Sequence, residues 1–393
     1  MISKLRVLFV KYYYVLFILV GLTQMLRIQG GWTILCYLSF LFALTSFRGI
    51  KFQACDGLVL FFIAYCIITY PLFGDYPADI YIASIRDQLF PMSFYFFARS
   101  KKTKDIDLFQ KAITPFMAVY IIGFFLFFTS PGWYIDYRMG DRGYTNSVNS
   151  FFNLTRMSSF WSSSYCVGYS ALFVVVYIIN KSLFDNEKIK HFGLYLTIAF
   201  LSLFFAQQRI SLGFAMLYLL LVVYISVKRG KIAPGKVILY TLASAAIIGV
   251  IAIIVTKYMD KYYLDYILQR FTSNDDGLVE DRVNLFKDYI PTISLLGDGF
   301  GKYSHNAMFH DLPSITDCEY IRTPNEIGLF GMGVFILIVV SSLIVNYKKG
   351  RKYSFESLIV LFFLIAMVGA TPLEVSQQQP FVLWYCLGKM QNK

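Results

Sequence analysis

Charge is scarce in this chain. Of its 393 residues only 15% are Asp, Glu, Lys or Arg, while 57% are hydrophobic and 19% aromatic, and the mean hydropathy is +0.57. A soluble domain carries about 25% charged residues and cannot keep so much apolar surface out of water. A soluble globular protein is therefore excluded. Histidine is rarer still, with three residues (His191, His305 and His310), and the six cysteines (Cys36, Cys55, Cys66, Cys166, Cys318 and Cys386) show no C-x-x-C spacing. There is no H-E-x-x-H pattern, no Walker sequence and no G-x-G-x-x-G turn. Nothing points to a zinc, nucleotide or dinucleotide site, and neither a metal nor a cofactor is expected. The cysteines, most of them inside apolar runs, read as small buried hydrophobes. The apolar runs lack the alternation of a barrel, and no internal repeat suggests the inverted halves of a transporter.

What the chain has instead is a series of apolar runs of about 17–22 residues, the length that crosses a hydrocarbon core of about 30 Å at 1.5 Å per residue. They predict an all-α polytopic membrane protein with about twelve spans, at 7–25, 30–47, 56–73, 80–98, 108–128, 160–180, 192–206, 210–227, 237–256, 327–346, 354–370 and 378–390. Within hydrocarbon every backbone polar group needs an internal partner, which a helix supplies. The first run leads straight into the second, so it reads as a span rather than a cleaved leader.

Basic residues set the orientation. Lys4 and Arg6, Arg48 and Lys51, Arg99 to Lys104, Lys181 to Lys190, Lys228 to Lys231, and Lys348 to Lys352 all fall in alternate connections. The positive-inside rule makes these connections, and both termini, cytoplasmic. The net charge of +12 is then a topology signal, and no nucleic-acid partner need be invoked. The expected division is a transmembrane core over 1–256 with an outer loop at about 129–159, a large periplasmic loop over 257–326, and C-terminal spans over 327–393. The large loop opens with Tyr258, Tyr262, Tyr263 and Tyr266 at helical spacing, which suits a helix at headgroup level; a second short helix is predicted at Glu280–Ile290. Loops this long are uncommon unless they carry function.

Against this topology, basic residues on the outer side stand out. They are Arg156 at the start of the sixth span, Arg209 in the turn between the seventh and eighth, Arg282 and Arg322 in the large loop, and Arg86 inside the fourth span beside Asp87. Bland readings exist: an intramembrane ion pair for Arg86, a snorkelling helix end for Arg209, and ordinary loop charges for Arg156 and Arg282. Gathered on one side, however, guanidiniums suit a diphosphate, because each can bind phosphate oxygens through two parallel hydrogen bonds. His305 directly follows the cluster Gly297, Gly299 and Gly301, which permits a close backbone approach, and a histidine can take a proton from a hydroxyl. Glu319, Asp317 and Glu326 are alternatives as base or orienting acid. A structural loop histidine is the competing interpretation.

The strings RMSSFWSSSYCVGYS at 156–170, QQRISLG at 207–213, and the stretch from Arg282 to Gly301 followed by SHN at 304–306 and NEIGLFG at 325–331 occur in that order. In that order they resemble the bacterial O-antigen polymerase and O-antigen ligase superfamily. Two departures are visible: serines Ser162–Ser164 stand where a proline or asparagine is common, and the stretch from His305 to Glu326 is longer than usual. The resemblance implies a multi-pass glycosyltransferase of the cell inner membrane, with arginines holding an undecaprenyl diphosphate as leaving group while an acceptor sugar hydroxyl attacks the anomeric carbon. It implies neither a nucleotide sugar nor a metal, and partners that are lipid-linked oligosaccharides, membrane lipids, a flippase and a chain-length regulator. The polymerase, whose acceptor is another lipid-linked repeat unit, is preferred over the ligase, whose acceptor is the lipid A core. The rival class, a flippase for lipid-linked oligosaccharides, would place its charges at mid-membrane and need no large loop.

Overall fold

The computed structural model describes residues 1–26, 28, 30–135, 156–161, 163–228, 276–351, 353–374 and 378–392. Among these residues the regular structure is helical, with no strand. In chain order the helices are α1 (Ile2–Lys11), α2 (Tyr13–Met25), α3 (Gly31–Leu44), α4 (Ala54–Phe73), α5 (Ala78–Ser84), α6 (Ser93–Arg99), α7 (Ile113–Thr129), α8 (Ser164–Leu183), α9 (Phe192–Ala206), α10 (Arg209–Lys228), α11 (Asp276–Tyr289), α12 (Glu319–Lys348), α13 (Phe355–Ala366) and α14 (Gln379–Gln391). Four of them, α4, α8, α10 and α12, are long and apolar enough to cross a membrane, and α1 with α2 makes a fifth candidate bent by 71°. Shorter apolar helices, among them α3, α7, α9 and α13, stand at other predicted runs. This architecture is compatible with a polytopic membrane protein. The run predicted at 237–256, the tyrosine-rich segment after it and most of 129–159 lie outside the described residues.

Besides the first, which bends between α1 and α2, two more predicted spans are not continuous helices. The run at 80–98 becomes α5, a π turn at Ile85–Leu89, a 3-10 turn at Phe90–Met92, and α6. Pro91 has no N–H to give, and a wide turn ahead of it relieves its clash with the preceding carbonyls. In α12, Gly328 adopts φ 71° and ψ 173°, which breaks the helical ladder. The groups freed there are satisfied by the loop before it. Leu329 and Phe330 N–H donate to the Ser294 and Leu295 carbonyls, both at 3.1 Å, and Asp298 and Gly299 N–H donate to the Asn325 and Glu326 carbonyls at 2.9 and 3.0 Å. Irregular backbone at membrane depth persists only with such internal partners.

Packing is close where small residues allow it. A Cβ on Gly388 of α14 would overlap the Tyr95 carbonyl of α6, so the two helices meet backbone to backbone. In a bilayer such contact, rather than exclusion of water, holds helices together. Around this seam Tyr13, Phe94, Phe97 and Phe381 form edge-to-face pairs at about 5 Å.

Alternating helix directions sort the connections into two ends. At one, Arg99 of α6 pairs with Asp56 of α4 at 2.9 Å and reaches the Gln391 carbonyl at the end of α14, while Arg6 meets the Thr45 carbonyl after α3. Asp56 also closes the N-terminus of α4 through a capping box with Gln53. The basic connections lie at this end. The opposite end gathers the starts of α3, α8, α10, α12 and α14 together with the loop carrying His305.

Candidate functional site

Three stretches singled out in the sequence meet at that opposite end. The glycine cluster packs directly on the kink of α12: a Cβ on Gly297, which has φ 82°, would overlap the Glu326 carbonyl and the Gly328 nitrogen. Gly301, at φ 92°, lies against Ser84 at the end of α5 just as closely. Only glycine accepts both the left-handed backbone and the contact. Between them Phe300 donates its N–H to Thr69 of α4 at 3.2 Å, and its carbonyl accepts from the Tyr76 hydroxyl. Burial pushes that tyrosine's pKa up, so the hydroxyl stays a donor. At the rim, the Lys302 ammonium is 2.8 Å from Asp75 and holds that carboxyl below its ordinary range.

Beneath the loop sits a buried carboxylate cluster. Arg322, fully buried, lies 2.5 Å from Glu319, 3.2 Å from Glu326 and 3.5 Å from Glu374, with Gln88 of the π turn at 3.4 Å. Glu319 also accepts from the Thr323 hydroxyl at 2.6 Å and from Leu373 N–H at 3.2 Å; Glu326 accepts from Tyr303 N–H at 3.2 Å. Glu374 accepts from the backbone N–H of His305, so it fixes the residue at the head of the 3-10 turn His305–His310. Arg322 Nε and Glu374 Oε2 face each other without a hydrogen-bond partner among the described residues. Three carboxylates on one guanidinium leave excess negative charge in a buried place, and the proton settles accordingly. Burial first, and the nearby Glu326 carboxylate next, push the Glu374 carboxyl up to about 8.

A second cluster flanks His305. Asp87, in the π turn, is held by Arg86 in a two-pronged pair at 2.7 and 2.8 Å, accepts from Trp32 Nε1 at 2.8 Å, and accepts from Asn306 Nδ2 at 3.4 Å. Arg86 and Asp87 both lie in the π turn Ile85–Leu89, and π turns often serve sites. Asp87 is buried, whereas Arg86 keeps 28% of its side chain exposed. His305 itself is exposed, with Phe309 edge-on to its ring at 5.6 Å.

The expected site residues thus divide. Arg322 does not fit a diphosphate-binding role: it is sealed from solvent and already surrounded by carboxylates, which would repel a phosphate. Glu319 and Glu326 are tied to that same arginine, out of reach of a substrate, and Asp317 lies exposed on a bend two residues before α12. Arg86 combines the ion pair expected of it with an exposed portion. Arg156 does not start a span, because α8 begins only at Ser164, capped by the Ser163 side chain accepting from Tyr165 N–H at 3.2 Å. It precedes a buried irregular segment anchored by Met157 N–H on the Phe205 carbonyl at 2.9 Å. Arg209 is exposed at the first residue of α10, after Gln207 in the left-handed region. Arg282 lies on α11. All sit on elements of the same end as His305.

Glu374 was not among the sequence candidates. It is the single acidic residue between Glu356 and the last residue, Lys393, and an ionisable group isolated in so apolar a stretch is the same signal that singled out Arg86. A cavity of about 720 Å3, lined by Asp107, Tyr177, Lys181, Arg351 and Lys389 among others, belongs to the other, basic end. Among the described residues no group of three or more His, Cys, Asp or Glu is arranged to hold a metal ion; the glutamates enclose a guanidinium instead. No protein-family model, no curated protein and no solved structure matches this chain.

Proposed function

We propose that this protein is an O-antigen (surface polysaccharide) polymerase, a glycosyltransferase that joins undecaprenyl-diphosphate-linked oligosaccharide units at the periplasmic face of the inner membrane. The observation that carries the reading is an exposed histidine on a loop braced by Glu374, whose neighbour Asn306 is hydrogen-bonded to Asp87, the bidentate partner of the partly exposed Arg86, at the end away from the basic connections. In the reaction the acceptor hydroxyl gives its proton to His305, its oxygen attacks the anomeric carbon, and the bond from that carbon to the diphosphate oxygen breaks. The negative charge on the departing diphosphate is taken by guanidiniums, for which Arg86, Arg156, Arg209 and Arg282 are the candidates.

Arg209 has the most telling position. A cation at the first turn of a helix faces the positive end of the macrodipole, an arrangement unfavourable for the helix alone. An anion at that helix start would be drawn by the guanidinium and by the helix N-terminus together. Incubating purified protein with lipid-linked repeat units tests this. Wild type should extend them into a ladder, Arg209→Ala should yield no polymer, and Arg209→Lys only a little, because an ammonium lacks the planar fork. Full activity of Arg209→Ala would remove that residue from the site. Transfer to lipid A core but not to a second repeat unit would make the protein a ligase, and movement of the unit across a bilayer without transfer would make it a flippase.

A further inference from the structure

Among the described residues, helix α11 has two apolar faces and only one of them is packed. Leu285 and Tyr289 turn inward onto Tyr303, Ile315, Cys318 and Ile321, with the Tyr289 and Tyr303 rings 5.8 Å apart. The Tyr289 carbonyl accepts from Asn325 Nδ2 at 3.2 Å, which ties the helix end to α12. On another side Val283, Phe286 and Ile290, spaced as one helical stripe, are 43%, 38% and 51% exposed and line an open groove of about 400 Å3 with Lys287 and Pro291. Aqueous loops do not usually present such a stripe to water.

What covers the stripe follows from what it joins. Beyond Pro291 the chain exposes Leu295 and Leu296, and this stretch pairs its backbone with Leu329 and Phe330 of α12. Leu296 also accepts from the Tyr65 hydroxyl of α4 at 3.0 Å. Leu329, Phe330 and Phe61 are exposed in turn on two of the candidate membrane spans, with Phe330 packed edge-on to Phe61 and Tyr65. Exposed apolar side chains therefore recur from the flanks of the candidate spans α4 and α12 through Leu295 and Leu296 to α11. Lys287 beside the groove can hold its stem along that surface and its ammonium at the headgroups. We propose that the Val283–Phe286–Ile290 stripe of α11 is a membrane-docking surface, resting on the lipid of the leaflet at the His305 end. Docking there holds the loop that carries His305 at headgroup height, the depth of a phosphate attached to a lipid chain. The proposal needs only that α4 and α12 cross the bilayer, and holds whatever reaction the site performs.

The test is a nitroxide attached to Phe286→Cys in the full-length protein, reconstituted in phosphatidylcholine–phosphatidylglycerol vesicles, with Val283→Cys and Ile290→Cys as second positions should one fold poorly. The six native cysteines are all buried, and unsubstituted protein reports their background labelling. Collisions with oxygen, which concentrates in lipid, should exceed those with a water-soluble nickel chelate at 283, 286 and 290. At Asp288, which is exposed beside the stripe, the ratio should reverse. A nickel-dominated signal at all four positions would overturn the proposal. So would low accessibility to both reagents along the stripe, which would mean that protein covers it.

Discussion

His305→Ala is expected to slow polymer formation by about 10²–10⁴-fold, the usual contribution of a general base, while lipid-linked donor still binds. The histidine ring is exposed, but its backbone is not free to wander. Glu374 grips its N–H from below, and the neighbouring Asn306 is tied through Asp87 to Arg86 and Trp32. His305 is thus carried on a fixed backbone, one residue from the Asn306–Asp87–Arg86 chain of contacts. The expected residue of activity is a trace of short polymer rather than none, since the arginines proposed to bind the diphosphate are untouched. Glutamine keeps the size and hydrogen bonding of the ring without its basicity, so His305→Gln should be nearly as slow as alanine. Wild type should also lose rate toward acid pH, because a protonated ring accepts no proton. A glutamine variant with near-normal rate and an unchanged pH profile would leave His305 a structural loop residue.

The second large effect concerns folding. Arg322→Ala leaves Glu319, Glu326 and Glu374 facing one another in a sealed space, and removing one side of a buried ion cluster costs about 3–5 kcal/mol. The variant should therefore unfold in detergent at markedly lower temperature than wild type, with lysine restoring part of the loss. The Glu374 carboxyl adds a pH dependence of known sign. Its folded value of about 8 lies above its ordinary 4.5, so the folded state binds the proton more tightly than the unfolded chain. That contribution is complete below about pH 4.5 and is lost as pH rises through about 8. Glu374→Gln, which mimics the protonated form, should flatten this slope while keeping an acceptor for His305 N–H. An Arg322→Ala protein as stable as wild type would mean that the cluster is not the brace of the loop.

The helices were legible because their signal is length and apolarity, which no tertiary contact needs to supply. Interruptions were less so. The run at 80–98 was read as one span although it contains Pro91, and the π turn there, with Asp87 in contact with α3 and the His305 loop, was not read. The glycine cluster was readable as a place of close backbone approach, and its partner proved to be the kink at Gly328, some thirty residues on. Arg322 looked like its fellow arginines in sequence. What separates it is a carboxylate from a distant turn, Glu374, together with Glu319 and Glu326 at helical spacing on its own α12. The spacings i−3 and i+4 around Arg322 are the classic signature of a helix-borne ion pair, and that pattern would have argued for a structural arginine.

The central claim, transfer of lipid-linked glycan onto lipid-linked glycan, is tested most directly by the ladder of surface polysaccharide on lipopolysaccharide after deletion of this protein. The account predicts that every rung above the first vanishes while a single repeat unit remains attached to the core, and that wild-type protein, but not His305→Ala, restores the ladder. An unaltered ladder, or the loss of that first unit as well, would contradict it.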